Sequence, residues 1–219
     1  MVLCTMYYHP KIIRPANRKL VVAVSGGIDS LVAASFLHKN KSLDISAFHF
    51  NHKIRPQNDQ MEEKVVEFCS DFNIQLIVKR CNTPFEGGSS EAFYREQRYA
   101  AMEGLGYVVT GQHLDDQVES YVNNCFCGNP EYLPMPLITE YPSKGFTVLR
   151  PFCLTTKQQM VEYVENNDLQ KYVVEDETNT DESIKRNWIR HTLVPMIREK
   201  DYNLEKVVKK KILERIDRL

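Results

Sequence analysis

The sequence lacks long hydrophobic runs and any large excess of charge of one sign. No run of about 18 apolar residues is present, so no segment is expected to span a membrane. The first residues lack a basic stretch followed by a long apolar one, which argues against a secretory signal. With 28 Lys and Arg against 29 Asp and Glu, the net charge is -1. This value argues against a surface covered with basic residues that bind nucleic acid. A hydrophobic content of 42% excludes dominant disorder, and we expect a cytoplasmic globular protein.

Paired cysteines of the kind that hold zinc are lacking as well. Among the six cysteines only Cys125 and Cys127 lie close together, and one residue separates them instead of the two of common zinc sites. No second pair or histidine cluster follows them. Because no signal peptide is apparent, the cysteines are predicted to be reduced thiols and not a disulfide framework.

What the sequence does contain is a regular alternation of short apolar runs with helical patterns. The runs predicted to form strands are residues 20–24, 43–50, 74–78, 107–110 and 148–149. The predicted helices cover about residues 29–38, 59–72, 89–105, 114–126, 156–167, 183–198 and 203–219. This rhythm predicts one doubly wound α/β domain with a largely parallel sheet. The proline-rich segment Gly128–Gly145 interrupts it and is predicted to be irregular, either a mobile loop near a site or a surface loop without function.

A glycine-containing loop lies between the first predicted strand and the helix that follows it. Its members are Ser25, Gly26, Gly27, Ile28, Asp29 and Ser30. The loop is neither a Walker A loop nor a Gly-x-Gly-x-x-Gly motif, but its glycines and the helix N-terminus form an anion cradle suited to phosphate. A carboxylate beside bound phosphate needs a divalent cation between them, so Asp29 predicts Mg²⁺. The alternative is that Asp29 only caps the helix.

Two further polar clusters, residues 51–55 and 111–119, follow predicted strands directly. Because the carboxyl ends of parallel strands meet at one edge, all three clusters are expected where open α/β sheets bind ligands. The spacing of Asp115, Asp116 and Glu119 puts them on one helical face. They are predicted to hold a cation, either a metal or a substrate amine. The alternative for the first two is that they complement the helix dipole.

Basic residues at helical spacing occur at two further places. Arg95 and Arg98 share one helical face with Glu91, which predicts either a nucleotide phosphate contact or intrahelical ion pairs. Arg186 and Arg190 are four residues apart and are suited to clamp a phosphate. The alternative is that these two arginines pair with the acidic stretch just before them, residues 175–177.

Together these segments resemble the tRNA(Ile)-lysidine synthetase family, within the N-type ATP pyrophosphatases. The glycine loop is the PP-loop of that whole superfamily, which includes NAD and GMP synthetases. The segments more specific to the family are residues 49–55, 91–99, 110–119, 149–152 and 176–191. The match covers about residues 20–197 in the family's order. It implies a Rossmann-like fold of the PP-loop ATP pyrophosphatase type.

The resemblance also implies a reaction. The family adenylates the C2 carbonyl of the wobble cytidine of a CAU-anticodon tRNA(Ile) with ATP and releases pyrophosphate. The ε-amine of free L-lysine then displaces AMP, which gives lysidine. The implied cofactors are ATP and Mg²⁺, and the implied partners are tRNA(Ile) and L-lysine, without a membrane.

The roles that the resemblance implies fall on residues already singled out. Those implied to be catalytic are Asp29, Arg95, His113, Asp116 and Glu119. Those implied to bind ATP are Ser25, Gly26, Gly27, Ile28, Asp29, Ser30, His52, Arg55 and Arg98. The implied lysine-binding residues are Asp115, Asp116 and Glu119, the metal ligands are Asp29 and Asp115, and the tRNA-binding residues are Arg186, Asn187 and Arg190.

Two departures from the family stand out. Gln112 stands where many relatives have the first His of a His-His pair. Relatives usually continue into extra tRNA-binding domains, so a short form is expected, with a catalytic domain at 1–200 and a basic amphipathic helix at 201–219. Residues 203–219 carry six Lys or Arg and three Asp or Glu. This helix either touches tRNA phosphate or packs its apolar face on the core or on a second subunit of a homodimer.

Two other functions stay open at the level of sequence. One is another PP-loop ligase or a tRNA thiolase, although the Cys-x-x-Cys motifs typical of thiolases are absent. The other is a module that binds nucleotide or tRNA without turnover. The intact PP-loop and the crowded carboxylates argue against such a module.

Overall fold

The structure is a computed structural model that describes residues 6–85, 87, 90–128, 135–174, 185–200 and 202–219. Six strands of the described chain form one sheet. They are β1 (Lys19–Ala23), β2 (Asp44–Asn51), β3 (Gln75–Arg80), β4 (Gly106–Val109), β5 (Ile138–Tyr141) and β6 (Phe146–Leu149). Their order across the sheet is β3-β2-β1-β4-β6-β5, and only the β5–β6 pair is antiparallel. The predicted doubly wound α/β fold is confirmed.

Helices join the strands and cover the sheet. They are α1 (Pro10–Ile13), α2 (Ile28–His38), α3 (Pro56–Asp71), α4 (Ser90–Ala101), α5 (Leu114–Phe126), α6 (Lys157–Asn166), α7 (Lys185–Trp188), α8 (Val194–Glu199) and α9 (Leu204–Ile216). Within the described ranges, none of these helices combines the length and the apolar character that a membrane span requires.

The position of β1 at the centre of the sheet creates the site. Val22 of β1 and Leu31 of α2 are fully buried, as expected for a parallel strand covered by its crossover helix. β1 pairs with β2 on one side and with β4 on the other. The strand order therefore reverses at β1, and ligands of open α/β sheets bind at such a point, beyond the carboxyl ends of the strands.

The prediction of an irregular segment over Gly128–Gly145 is wrong for its second half. There β5 pairs with β6, and a 3-10 turn at residues 142–144 connects the two strands through Gly145, whose φ is 66°. A four-residue strand between prolines is too short to show a clear alternation of apolar and polar residues. Residues 129–134 lie outside the described residues.

The helix predicted over residues 183–198 also differs from expectation. α7 and α8 are joined by a π-helical turn at Ile189–Leu193, in which the N–H of Val194 donates to the carbonyl of Ile189. Pro195 has no N–H and its ring clashes with the carbonyl four residues earlier, so a regular α-helix cannot continue through this point. Arg190, predicted to contact tRNA, lies within this turn, and π-helical turns of this kind occur frequently at functional sites.

α9 packs its apolar side on the rest of the protein. Val208, Ile212 and Ile216 are buried, and α9 lies against α5. On the outer side Lys206, Lys210 and other charged residues face solvent. Of the alternatives for this helix, the structure therefore shows packing on the core.

Candidate active site

The PP-loop is held in shape by its two serines. The N–H of Ser25 donates to Ser30 Oγ at 3.0 Å, and Ser30 Oγ donates to the carbonyl of Gly27 at 2.9 Å. Gly26 has a φ of 96°, and a Cβ added there would lie 3.2 Å from Met61 Cβ. The loop thus presents the start of α2, where backbone N–H groups and the helix dipole favour phosphate.

Asp29 lies in the first turn of α2, whose N-cap is Gly27, so it does not cap the helix as the alternative had it. Asp29 Oδ1 accepts a hydrogen bond from Lys157 Nζ at 2.5 Å, and Oδ2 lies 3.6 Å from His113 Nε2. Burial raises the pKa of Asp29, but the bond to His113 and the charges of His113 and Lys157 outweigh burial and lower the pKa to about 2. Ile28, beside it, packs against the core.

Gly111, directly after β4, touches the backbone of the PP-loop. A Cβ at Gly111 would lie 2.3 Å from the carbonyl oxygen of Asp29 and 2.9 Å from the nitrogen of Ser30. Backbone atoms cannot move aside as a flexible side chain can, so only glycine fits here. This contact brings the polar cluster after β4 against the phosphate cradle, as the shared sheet edge predicted.

His113 links the PP-loop to the acidic residues of α5. It is the N-cap of α5 and only 3% exposed. Its Nε2 lies 3.6 Å from Asp29 Oδ2 and 3.5 Å from Asp116 Oδ2. Burial lowers the pKa of His113, but the bond to Asp29 and the charge of Asp116 outweigh burial and raise the pKa above its ordinary value.

Asp116 and Glu119 bind two arginines from the α7 region. Arg186 donates to Asp116 Oδ1 at 2.7 Å and to Glu119 Oε2 at 2.9 Å. Arg190 donates to Glu119 Oε1 at 2.6 Å and to Oε2 at 3.0 Å. Both carboxylates are buried. The arginines thus bind the predicted cation site, whereas the acidic stretch 175–177, their alternative partner, lies outside the described residues.

Asp115 has a separate set of partners. Its Oδ2 accepts the backbone N–H of Lys157 at 2.7 Å, and its Oδ1 accepts a hydrogen bond from Arg198 at 2.8 Å. Burial raises the pKa of Asp115, but the bonds from Arg198 and Lys157 outweigh burial and lower it. Asp115 therefore joins α5 to α6 and α8.

The other predicted ATP-binding residues gather after β2 and on α4. The ring of His52 packs edge-on against Phe50 and Tyr94, with centroids 4.9 and 5.6 Å apart. Burial, together with the charges of Arg98 and His49, lowers the pKa of His52 to about 4. The charge of Arg98 on α4 therefore acts on the ring of His52 after β2.

The remaining basic residues of this region lie nearer the surface. Arg95 is exposed and lies over the ring of Tyr99, 4.8 Å from its centroid. Arg55 is exposed at the N-cap of α3.

Two further predictions concern residues that are not basic. Asn187 on α7, predicted to contact tRNA, is buried at 7% exposure. The side chain of Glu91 lies outside the described residues, so the predicted ion pairing on α4 stays a prediction.

Sequence reasoning missed two residues that contact the site. Lys157 reaches Asp29 from α6, more than a hundred residues away along the chain, and no local pattern signals this contact. Arg150 donates to Gln112 Oε1 at 2.6 Å, and Thr110 donates to the same oxygen at 3.0 Å. Gln112, the departure noted in the sequence, therefore acts as the acceptor that holds Arg150, which is 5% exposed.

Comparisons with known proteins identify the family of the chain. A family model described as PP-loop domain matches residues 5–197. The chain is similar to the tRNA(Ile)-lysidine synthase of Vibrio parahaemolyticus, with 31% identity over 93% of this chain and 47% of that protein. It is also similar to the tRNA(Ile)-lysidine synthase of Thermotoga maritima, with 31% identity over 86% of this chain and 47% of that protein. The chain therefore spans about half the length of these curated relatives.

Solved structures share the fold at low identity. The U34-tRNA thiolase NcsA from Methanococcus maripaludis aligns with a TM-score of 0.72 and 14% identity, covering 96% of this chain and 78% of that chain. The NH3-dependent NAD synthetase from Campylobacter jejuni aligns with a TM-score of 0.50 and 16% identity, covering 94% of this chain and 88% of that chain. The family model covers most of the chain, and the PP-loop is held in shape by its two serines. Together with the shared fold, these findings show that the chain belongs to the PP-loop domain family.

Proposed function

We propose that this chain uses ATP to adenylate the wobble cytidine of a CAU-anticodon tRNA(Ile) and then joins free L-lysine to it, which gives lysidine. The C2 carbonyl oxygen attacks the α-phosphorus of ATP, and pyrophosphate leaves. The lysine ε-amine then attacks C2, loses a proton and displaces AMP. Similarity to tRNA(Ile)-lysidine synthases along 93% of this chain supports the proposal.

One observation carries the proposal: a phosphate cradle and a pair of buried carboxylates lie on either side of one histidine. His113 Nε2 is 3.6 Å from Asp29 and 3.5 Å from Asp116. A nucleotide held at the PP-loop and an ammonium held at Asp116 and Glu119 therefore meet across His113. In this reaction the positive charge of His113 stabilises the phosphate, and Glu119 accepts the proton of the attacking amine.

The donor set at the PP-loop fits Mg²⁺ at Asp29. Mg²⁺ is usually bound by one or two carboxylates together with substrate phosphates, and Asp29 presents a partly exposed carboxylate beside the phosphate cradle. Mg²⁺ would take the place of the Lys157 ammonium at Asp29 Oδ1. Asp115 supplies no second ligand in this proposal, because its oxygens fix α6 and α8 through the N–H of Lys157 and through Arg198. No group of three or more His, Cys, Asp or Glu within the described ranges is arranged for a metal. Bound Mg²⁺ would neutralise charge on the departing pyrophosphate.

The basic residues around the cradle complete the assignment. Arg95 and Arg98, both on α4, neutralise phosphate charge. His52 and Arg55, which follow β2 in the chain, contact the nucleotide. Asn187 and the two arginines beside it close over the adenylate or position the tRNA. In this assignment Asp115 fixes α6 and α8 in place and takes no direct part in lysine binding.

The two half-reactions test this assignment separately. Glu119→Gln is expected to keep tRNA-dependent pyrophosphate release but to lose most transfer of labelled lysine, since the amine loses its proton acceptor. Asp29→Asn is expected to lower both, because the nucleotide is then held without its metal. Pyrophosphate release and the transfer of labelled lysine to a CAU-anticodon transcript are measured in the same reactions.

A surface carboxylate provides the matched control. Glu67→Gln on α3 removes one exposed carboxylate, which pairs with exposed Lys64, and should leave both half-reactions unchanged. Equal lysine transfer by the wild type and Glu119→Gln would remove the proposed role of Glu119. Binding of ATP and tRNA without pyrophosphate release would favour a non-catalytic binding module.

A further inference from the structure

We propose that Arg186 and Arg190 make lysine binding depend on nucleotide. They hold the carboxylates of Asp116 and Glu119 until a phosphate at the PP-loop draws a guanidinium away. The inference rests on the proposed function, because it takes L-lysine to be the amine that these carboxylates receive.

The four carboxylate oxygens are all engaged. Asp116 Oδ1 accepts from Arg186, and Asp116 Oδ2 accepts the backbone N–H of His113 at 3.0 Å. Glu119 Oε1 accepts from Arg190, and Glu119 Oε2 accepts from both arginines. An incoming ammonium must therefore displace at least one guanidinium hydrogen bond before it can form its own.

The charges at the site show why the lysine ammonium must compete with the two guanidinium groups. Two guanidinium groups balance two carboxylates whose side chains are 10% and 5% exposed. A third cation entering this set would add an uncompensated positive charge in a place that excludes water, which is costly. Lysine binding is therefore favourable only after one arginine has moved.

A phosphate at the PP-loop offers the arginines another partner close by. Arg190 also donates to Asp116 Oδ1 at 3.4 Å, and His113 Nε2 lies 3.5 Å from Asp116 and 3.6 Å from Asp29 in the first turn of α2. Only Asp116 and His113 therefore separate Arg190 from Asp29 along this path of contacts. Guanidinium groups bind phosphate oxygens as well as carboxylates, often with two hydrogen bonds. The side chains of Arg186 and Arg190 are 52% and 33% exposed, which leaves them room to turn.

The consequence is an order of binding. Nucleotide binds first, an arginine turns toward its phosphate, and the carboxylates then receive the amine. The two ligands raise each other's affinity by the same factor, because coupling between binding sites is reciprocal.

Calorimetric titration of the full chain with L-lysine tests this order. The wild type is titrated with and without Mg²⁺ and the non-hydrolysable α,β-methylene ATP, and the nucleotide is expected to raise lysine affinity by about tenfold or more. In the double variant Arg186→Gln with Arg190→Gln, lysine should bind without nucleotide about as tightly as the wild type does with it. Arg198→Gln is the matched control, because it removes an arginine that binds Asp115 instead, and its coupling should equal that of the wild type.

The outcomes separate this inference from the proposed function. Equal lysine affinity with and without nucleotide in the wild type overturns the inference and leaves the proposed function standing. Coupling that persists undiminished in the double variant also overturns the inference. No lysine binding in any titration overturns both. If the double variant does not fold, the single variants and the wild-type titration decide, with each single variant expected to lose part of the coupling.

Discussion

At Gly111 the chain passes so close to the PP-loop that a Cβ atom would lie 2.3 Å from the carbonyl oxygen of Asp29. Gly111→Ala must push two backbone segments apart, so we expect it to lower the free energy of unfolding by at least about 2 kcal/mol and to weaken nucleotide binding. Gly27→Ala is the control for folding. There φ is -81° and the added Cβ would lie an ordinary 3.6 Å from Ser25 Oγ.

Thermal unfolding and nucleotide titration of both variants measure this effect. A Gly111→Ala variant as stable as Gly27→Ala would contradict the close contact between the loop after β4 and the PP-loop. The sequence placed Gly111 inside a family motif but gave no sign of its neighbour, because Asp29 is 82 positions away along the chain.

His52 predicts a pH dependence of stability. Burial, with the charges of Arg98 and His49, lowers the pKa of His52 to about 4, whereas the unfolded chain binds a proton near the ordinary value of about 6.5. The unfolded state therefore binds more protons between these values, and the free energy of unfolding falls as the pH falls from about 6.5 toward 4.

His52→Phe removes this titration while keeping a ring for the contacts with Phe50 and Tyr94. Between pH 7.5 and pH 4.5 the wild type should lose more stability than the variant in denaturant unfolding. An equal fall in the free energy of unfolding for the wild type and the variant over this pH range would contradict a lowered pKa of His52.

At the scale of elements, the C-terminal helix offers a matched pair of neighbours. Ile212 is 1% exposed, whereas Leu213 next to it is 46% exposed. Ile212→Ala should lower the free energy of unfolding by about 2–5 kcal/mol, and Leu213→Ala by less than about 0.5 kcal/mol. Chemical denaturation of the two variants measures the difference. Equal effects would mean that α9 does not pack on α5 in the way described.

The elements were predictable where patterns are long and local. The runs that became β1 to β4 and the helices α2, α3 and α5 follow from apolar periodicity and turn residues. β5 escaped prediction because four residues between prolines carry no clear period, and its formation depends on pairing with β6. The π-helical turn escaped prediction because the helical pattern over residues 183–198 runs past Pro195 and does not show where the regular α-helix is interrupted.

The candidate site shows the same division between local and long-range information. The PP-loop and the spacing of Asp116 and Glu119 are local, and both were found. Which cation meets which carboxylate is decided by packing, since Arg186 and Glu119 are 67 positions apart. The sequence therefore identified the charged groups and the sheet edge, while the pairing of Arg186 and Arg190 with α5 required the structure.

For the molecule as a whole, a net charge of -1 conceals an uneven distribution of charge. Acidic residues gather beside the PP-loop, where Asp29, Asp116 and Glu119 meet basic partners. Basic residues gather on the outer side of α9, where Lys206 and Lys210 face solvent. A near-neutral total therefore does not argue against a polyanionic substrate such as tRNA.

The most direct test of the proposed function is the transfer of labelled L-lysine to RNA. The chain is incubated with ATP, Mg²⁺ and labelled lysine, together with either a CAU-anticodon tRNA(Ile) transcript or the same transcript with uridine at the wobble position. The proposal predicts label in the first transcript, one pyrophosphate released per lysine joined, and no label in the second. Pyrophosphate release without label in the cytidine transcript, or equal label in both transcripts, would contradict it.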